Sequence, residues 1–393
     1  MEKPAILGGK PVFEKLVPII KPPLAKYATD EFSSKIKRIL ESGMVTDHIY
    51  VRELEKNISS YIGVKNVVAI SSCTSGLVLS LQLMGLRKKT VILPSFTFVA
   101  TANAAYWNNC KIVLADCNPN TFNISPEDVE KKLTKDTAAI MGVHIFGSPC
   151  DIKALREIAE DHDVKLLFDS AHAFGASYDG KKVGGFGDVE VFSCSPTKLF
   201  ITMEGGIVGT EDDKLAGEIR IARNYGNLPD YQCKTPGLNA RMTEINAALG
   251  IEMLKNIDEM VENRNKYAAL YKKFLGKVPG IKFQEPTKGA RHAYKDFGII
   301  INPKEFGVNR DILYDALAKE NVMTKKYFYP PIHKLEAYSD LANADLPNTE
   351  YVSNNVLCLP IHSYMDKTLI ENTCAAVERI HKFGKEISKK SGE

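Results

Sequence analysis

Short apolar runs rich in β-branched residues recur along the first half of the chain. Each is followed by a polar turn and then by a stretch with helical spacing. The runs are NVVAIS (66–71), TVILPS (90–95), KIVLAD (111–116), AAIMGVH (138–144), KLLFDS (165–170), EVFSC (190–194) and GGIVGT (205–210). Near-continuous apolar runs of this length read as strands covered on both faces. Between the early ones lie SGLVLSLQLMGL, FVATANAAYWNN, SPEDVEKKLT and DIKALREIAEDHD, with helical spacing and start signals such as Ser125-Pro126. Strand and helix alternating over some 150 residues predict an α/β fold: a mostly parallel seven-stranded sheet between helices. GGIVGT follows EVFSC too closely for a crossover helix, so an antiparallel member of the sheet is expected there.

After Thr210 the pattern changes. DKLAGEIRIARNYG, MTEINAALGIEMLKNIDEMVENRNKYAALYKKFL and NRDILYDALAKEN are helical, and AYKDFGIIINP and NVLCLPI are the later strand candidates. This predicts a smaller α+β C-terminal domain. The expected divisions are an N-terminal arm over 1–30, a large domain over 31–260 and a small domain over 261–393. A long helix in VENRNKYAALYKKFLGKVPG would link the two domains. The polar ending GKEISKKSGE reads as a frayed tail.

Composition narrows the function classes. Among 393 residues, 51 basic and 48 acidic side chains leave a net charge of +3, too small to point to nucleic acid. No run reaches the roughly 18 apolar residues of a membrane span, and the N-terminus carries no apolar leader core. The eight cysteines are scattered without a CxxC, and the eight histidines form no HExxH or HxxxH pair. They read as buried thiols and isolated imidazoles, with no metal site, in a cytoplasmic protein.

In open parallel sheets ligands bind beyond the carboxyl ends of the strands, so the polar residues there carry the chemistry. After the first strand come Ser72, Thr74, Ser75 and Gly76, leading straight into a helix. Hydroxyls and free amides at a helix start make an anion site, although alone they are an ordinary N-cap. KLLFD ends in Asp169, a carboxylate that closes an apolar strand and needs a compensating partner. EVFS ends in Ser193, and Lys198 follows in SCSPTK. A lysine there is either a surface charge or a buried amine suited to bonding a carbonyl carbon. Taken jointly the three meet the needs of pyridoxal phosphate (PLP, or its amine form PMP). The phosphate takes donors, the protonated ring nitrogen takes a carboxylate, and the aldehyde takes a lysine.

The same residues carry a family resemblance. The run FDSAHAFGASYDGKKVGGFGDVEVFSCSPTKLFITMEGGIVGT resembles the signature of the DegT/DnrJ/EryC1/StrS sugar aminotransferases, of PLP fold type I. SCTSGLVLSLQLMGL, VILPSFTFVATANAA, RIARNYG, GLNARMTEINAALG and KKYFYPPIHKLEAY follow in the family's order, so the resemblance spans nearly the whole chain. It implies that Lys198 is the Schiff-base lysine and proton shuttle, and that Asp169 pairs with the ring nitrogen. It places His172 by the ring's 3-hydroxyl, Phe98 stacked on the ring, and Thr74, Ser75 and Ser193 on the phosphate. Asn239 would reach the phosphate of a neighbouring subunit's cofactor, making the active unit a homodimer. Arg241, Lys325, Lys326, Tyr329 and His333 would contact substrate. Read alone, Phe98 is plain core, His172 a structural histidine, and Lys325 and Lys326 solvated surface.

Four positions depart from the family pattern: Cys194-Ser195 replaces an aromatic-histidine pair, Ala240 a tyrosine and Tyr225 a histidine. They bear on substrate more than on cofactor. The resemblance implies transfer of an amino group from glutamate (or glutamine) to a nucleotide-linked keto-sugar, at C4 of dTDP-4-keto-6-deoxyglucose. Amination at C3 or of a cyclitol ketone such as scyllo-inosose is the rival within the class. A non-catalytic regulator that kept the fold is the rival outside it.

Overall fold

The computed structural model describes residues 2–391. All seven expected strands form one sheet: β1 (Asn66–Ile70), β2 (Thr90–Pro94), β3 (Lys111–Ala115), β4 (Thr137–Val143), β5 (Lys165–Asp169), β6 (Val189–Ser193) and β7 (Gly206–Thr210). Their spatial order is β1-β7-β6-β5-β4-β2-β3. β7 runs antiparallel to both neighbours, and every other pairing is parallel. The connection from β6, residues 194–205, forms no crossover helix, and β7 returns antiparallel beside β6.

Alternation within each strand supplies two cores. Val68, Ile70, Val91, Leu93, Val191 and Val208 face helices α3 (Cys73–Leu83) and α4 (Val99–Trp107). Val67, Ala69, Phe192 and Ile207 face the opposite way, toward Val51, Leu54 and Ile58 of the helix Ile49–Ile62. Burying both faces explains why the strand sequences lack a polar phase.

The long helical stretch after Met242 is broken once. One helix covers Glu244–Leu254, and a second, α5, covers Ile257–Leu275. Ile257, Met260 and Val261 of α5 belong to the large core, whereas Ala268, Tyr271 and Leu275 belong to a separate C-terminal core. That second core surrounds a three-stranded antiparallel sheet of Ile281–Phe283, Phe297–Ile301 and Val356–Leu359. Ile6, Leu7, Val12 and Phe13 of the N-terminal arm also pack against it. The arm is fixed through Glu320, which accepts from the amides of Ala5 and Val12, both at 2.9 Å. The expected frayed tail is corrected over 384–391: Gly384–Ser391 is helical and its Ile387 is fully buried in the C-terminal core, while residues 392 and 393 of that tail lie outside the described residues.

Candidate active site

The antiparallel strand brings β7's first residues to the carboxyl edge of the sheet, between the ends of β1 and β6. Gly206 pairs with Ile70 on one side and Ser193 on the other. A Cβ on Gly206 would lie 2.5 Å from the Ser72 carbonyl carbon and 2.6 Å from the Cys73 nitrogen. Glycine there lets the start of α3 settle against the strand. Ser72 caps that helix, its Oγ accepting from the Ser75 amide at 3.1 Å. The amides of Cys73 and Thr74 precede any acceptor within the helix, and together with the helix dipole they favour an anion. Ser75 turns away, donating its hydroxyl to the Ser72 carbonyl at 2.8 Å.

Asp169 ends β5 beside this helix start. Its carboxylate is buried and accepts from Thr101 Oγ1 at 2.7 Å and from the Ala171 amide at 3.1 Å. Burial nonetheless raises its pKa, the two hydrogen bonds and Lys198 opposing only in part. An acid held this way gains from a cationic partner, and a protonated ring nitrogen is one.

Lys198 sits on a turn braced from both ends. Its amide donates to the Ser195 carbonyl at 3.0 Å, and Leu199, Phe200 and Ile201 behind it are buried. Cys194 and Gly205 close the base of the loop with a 2.9 Å backbone bond. The amine's pKa falls to about 8, mainly through burial and next through Lys295, against the pull of Asp296, Cys73 and Asp169. A lysine partly neutral near pH 8 is a nucleophile and a base, unlike one at 10.5.

These groups open onto one cavity of about 360 Å³, lined among others by Ser72, Thr74, Asp169, Ser193 and Lys198. Phe98, more than half exposed at 55%, also lines it and is not core. His172 lines it too and is a buried, neutral ring, with burial and the nearby Lys198 pushing its pKa well below 6.5. Its Nδ1 accepts from the Phe146 amide at 3.2 Å, which leaves Nε2 to carry the hydrogen, and the ring stacks on Phe328 with centroids 6.0 Å apart.

The model of the DegT/DnrJ/EryC1/StrS aminotransferase family matches residues 26–378. The chain belongs to that family. It is a PLP-dependent sugar aminotransferase. Its relatives include the dTDP-4-amino-4,6-dideoxy-D-glucose transaminase of Escherichia coli, 31% identical over 91% of this chain and 96% of that one. They also include the dTDP-3-amino-3,6-dideoxy-alpha-D-galactopyranose transaminase of Aneurinibacillus thermoaerophilus, 33% identical over 89% and 95%. A solved structure of DesI with its TDP-sugar product matches with a TM-score of 0.91 at 32% identity, covering 99% of both chains.

The cavity of this aminotransferase fits PLP: a helix start for the phosphate, a buried acid for the ring nitrogen, a low-pKa lysine for the aldehyde and an aromatic face in Phe98. Other predicted residues stand apart from it. Asn239 is exposed on a segment bridged to Asn224. Arg241 is engaged with the Asn224 side chain, its guanidinium 5.3 Å from the Tyr225 ring centre. Lys325 is exposed beyond the cavity wall, and Lys326 is paired with Asp311. Tyr329 is half exposed under the Arg310 guanidinium at 4.7 Å. His333 is fully buried, bonded to Ser95 Oγ at 2.7 Å and Glu350 at 3.2 Å, so in this chain it braces the fold.

Sequence reasoning missed Thr101, Lys295, Tyr327 and Phe328. Thr101 lies one helical turn beyond Phe98, a spacing that could have marked it. Lys295 was signalled only by a Lys-Asp pair standing directly before the buried strand FGIII.

Proposed function

We propose that this aminotransferase moves an amino group from glutamate (or glutamine) to C4 of a nucleotide-linked keto-sugar such as dTDP-4-keto-6-deoxyglucose. The carrying observation is that Lys198, Asp169 and an unblocked helix start converge on one cavity. The Escherichia coli relative's name supports C4, and so does the similarity of HIFGSPC and YFYPPIHKLEAY to C4 enzymes. The name of the Aneurinibacillus relative keeps C3 as the alternative.

PLP, when bound, supplies an aldehyde carbon that carries the amino group between substrates and a ring that withdraws electrons from it. The protein's residues do the rest. Lys198 Nζ would take the proton from the donor's α-carbon and deliver it to the carbon on the other side of the amino nitrogen; with the sugar it would work in the opposite sense. Asp169 keeps the ring nitrogen protonated, which acidifies that carbon–hydrogen bond. Ser72, Thr74 and Ser193 hold the phosphate, Phe98 covers the ring, and His172 Nε2–H donates toward the ring's oxygen. The balance is glutamate plus keto-sugar to 2-oxoglutarate plus amino-sugar.

We infer a homodimer as the working unit: the family resemblance has Asn239 act on a neighbouring subunit's cofactor, and its exposure outside its own chain's cavity is compatible with that. Sedimentation would register twice the 43.6 kDa chain mass.

The test is a visible spectrum of the PLP-loaded protein before and after glutamate, with Lys198→Ala alongside. The long-wavelength band should fall in the wild type and be missing in the variant. Keto-sugars with the ketone at C4 or C3, and scyllo-inosose, should then be compared for restoring the band. Full turnover by Lys198→Ala protein would remove the assignment, and a band restored only by another ketone would move the substrate.

A further inference from the structure

The cavity contains a second lysine that the scheme above does not use. Lys295 is 3% exposed and stands on the wall contributed by the C-terminal part of the chain. Its Nζ lies 2.8 Å and 3.0 Å from the two carboxylate oxygens of Asp296 and 5.0 Å from the centre of the Tyr327 ring. Consecutive side chains on a strand point to opposite faces, and here a left-handed Tyr294 (φ 47°) turns the chain just before the pair.

The backbone beneath is pinned from two directions. The Lys295 amide donates to the Phe146 carbonyl at 2.8 Å, and the Ala293 amide to the Gly147 carbonyl at 2.9 Å. From α5 the buried Arg264 donates Nη1 to the carbonyls of Tyr294 and Lys295 at 2.9 and 3.1 Å. A buried ion pair adds little net stability, because desolvation offsets the attraction. Holding one this rigidly at a cavity wall therefore calls for a reason beyond folding.

Charge accounting supplies it. Lysines 198 and 295 are the only cationic side chains among the lining residues, since His172 is neutral there. Lys198 is committed to the cofactor, and Asp169 to its ring. A dicarboxylic amino donor must nevertheless place a carboxylate in this low-dielectric space, which is costly without a paired cation. The ammonium has three N–H donors, so Asp296 leaves at least one for a ligand.

We propose that Lys295, braced by Asp296, binds a carboxylate of the amino donor. The inference rests on the glutamate reading given under Proposed function. It makes Lys295 a donor-recognition residue, distinct from Lys198, which moves the proton.

The experiment uses PLP-loaded Lys295→Met protein and a second variant, Lys295→Met with Asp296→Leu. The double variant leaves no unpaired buried charge and guards against misfolding. The long-wavelength band checks that each variant still holds the cofactor on Lys198. Glutarate, a dicarboxylate without an amine, is titrated by calorimetry, and the glutamate and keto-sugar half-reactions are followed separately. Glutarate affinity should fall by about 10- to 100-fold, the size of a lost hydrogen bond between charged groups. Half-saturating glutamate should rise in parallel, with half-saturating keto-sugar changing less than about 3-fold. Unchanged glutarate binding, or equal weakening of donor and sugar, overturns the proposal. A wild-type protein that binds PLP but does not react with glutamate overturns the donor reading itself, and this inference with it.

Discussion

Thr101 gives its hydroxyl hydrogen to Asp169 Oδ2 at 2.7 Å, and Thr97 Oγ1 lies 2.9 Å from the same hydroxyl. The helix that carries Phe98 at its cap thus also donates to the buried carboxylate proposed to meet the ring nitrogen. In Thr101→Val the shape is kept and the hydrogen bond is lost, so the Asp169 pKa should rise further and its hold on a protonated ring weaken. PLP affinity should fall about 10-fold, as for a hydrogen bond to a charged group. Titrating cofactor-free protein with PLP and following the visible band measures it. Equal affinities would mean that the Ala171 amide alone is sufficient.

The lowered pKa of Lys198 has a kinetic signature. Only the neutral amine adds to an aldehyde, so PLP capture by cofactor-free protein should accelerate with rising pH and level off above about 8. A lysine in water would still be accelerating at pH 10. Stopped-flow growth of the visible band between pH 6.5 and 9.5 distinguishes the two. A curve without a plateau would show that the amine is more solvated than the geometry implies.

The seven strands were legible because burial on both faces leaves long apolar runs, and the reversal at β7 because no helical stretch separates it from β6. Asp169, Ser193 and Lys198 were legible because they stand at strand ends, where the chain order alone fixes their neighbourhood. Lys295 and Phe328 were not. They reach the cavity from another part of the fold, Lys295 through the left-handed turn at Tyr294 and the backbone bonds to Phe146 and Gly147, Phe328 on a segment bridged at Lys325 to Cys358. His333 misled for the complementary reason. Its place in a family motif says nothing of the Ser95 and Glu350 partners that keep it in the interior.

Two glycines offer a controlled comparison of backbone approach. A Cβ at Gly206 meets the Ser72–Cys73 backbone at 2.5–2.6 Å, whereas one at Gly217, inside the helix Asp213–Ala222, meets nothing within 4 Å. Gly206→Ala should push α3 off the strand, costing about 1–3 kcal/mol and lowering PLP affinity. Gly217→Ala should stabilise by about 0.5–1 kcal/mol through helix propensity and leave the cofactor untouched. Denaturant midpoints and PLP titrations report both effects. A Gly206→Ala protein of normal stability and affinity would contradict the close contact that frames the proposed phosphate cradle.

Behind Asp169, Glu190 is fully buried on β6, accepting from the Phe186 amide at 2.6 Å and from Ser170 Oγ at 3.2 Å. Burial raises its pKa from 4.5 to about 7, the hydrogen bonds opposing. The folded state therefore holds this proton more tightly than the unfolded chain does. The group's contribution to stability is fully present below about pH 4.5 and is lost as pH rises through about 7. Glu190→Gln fixes the neutral form: its carbonyl still accepts from Phe186, and the Ser170 hydroxyl can reverse to accept from its amide. The stability difference, variant minus wild type, should thus rise between pH 5 and 8, by roughly 3 kcal/mol at most. Urea unfolding at several pH values measures the slope. A difference that stays flat would mean the carboxylate is solvated as an ion inside the sheet edge, and a falling one would mean that its charged form is the one the fold prefers.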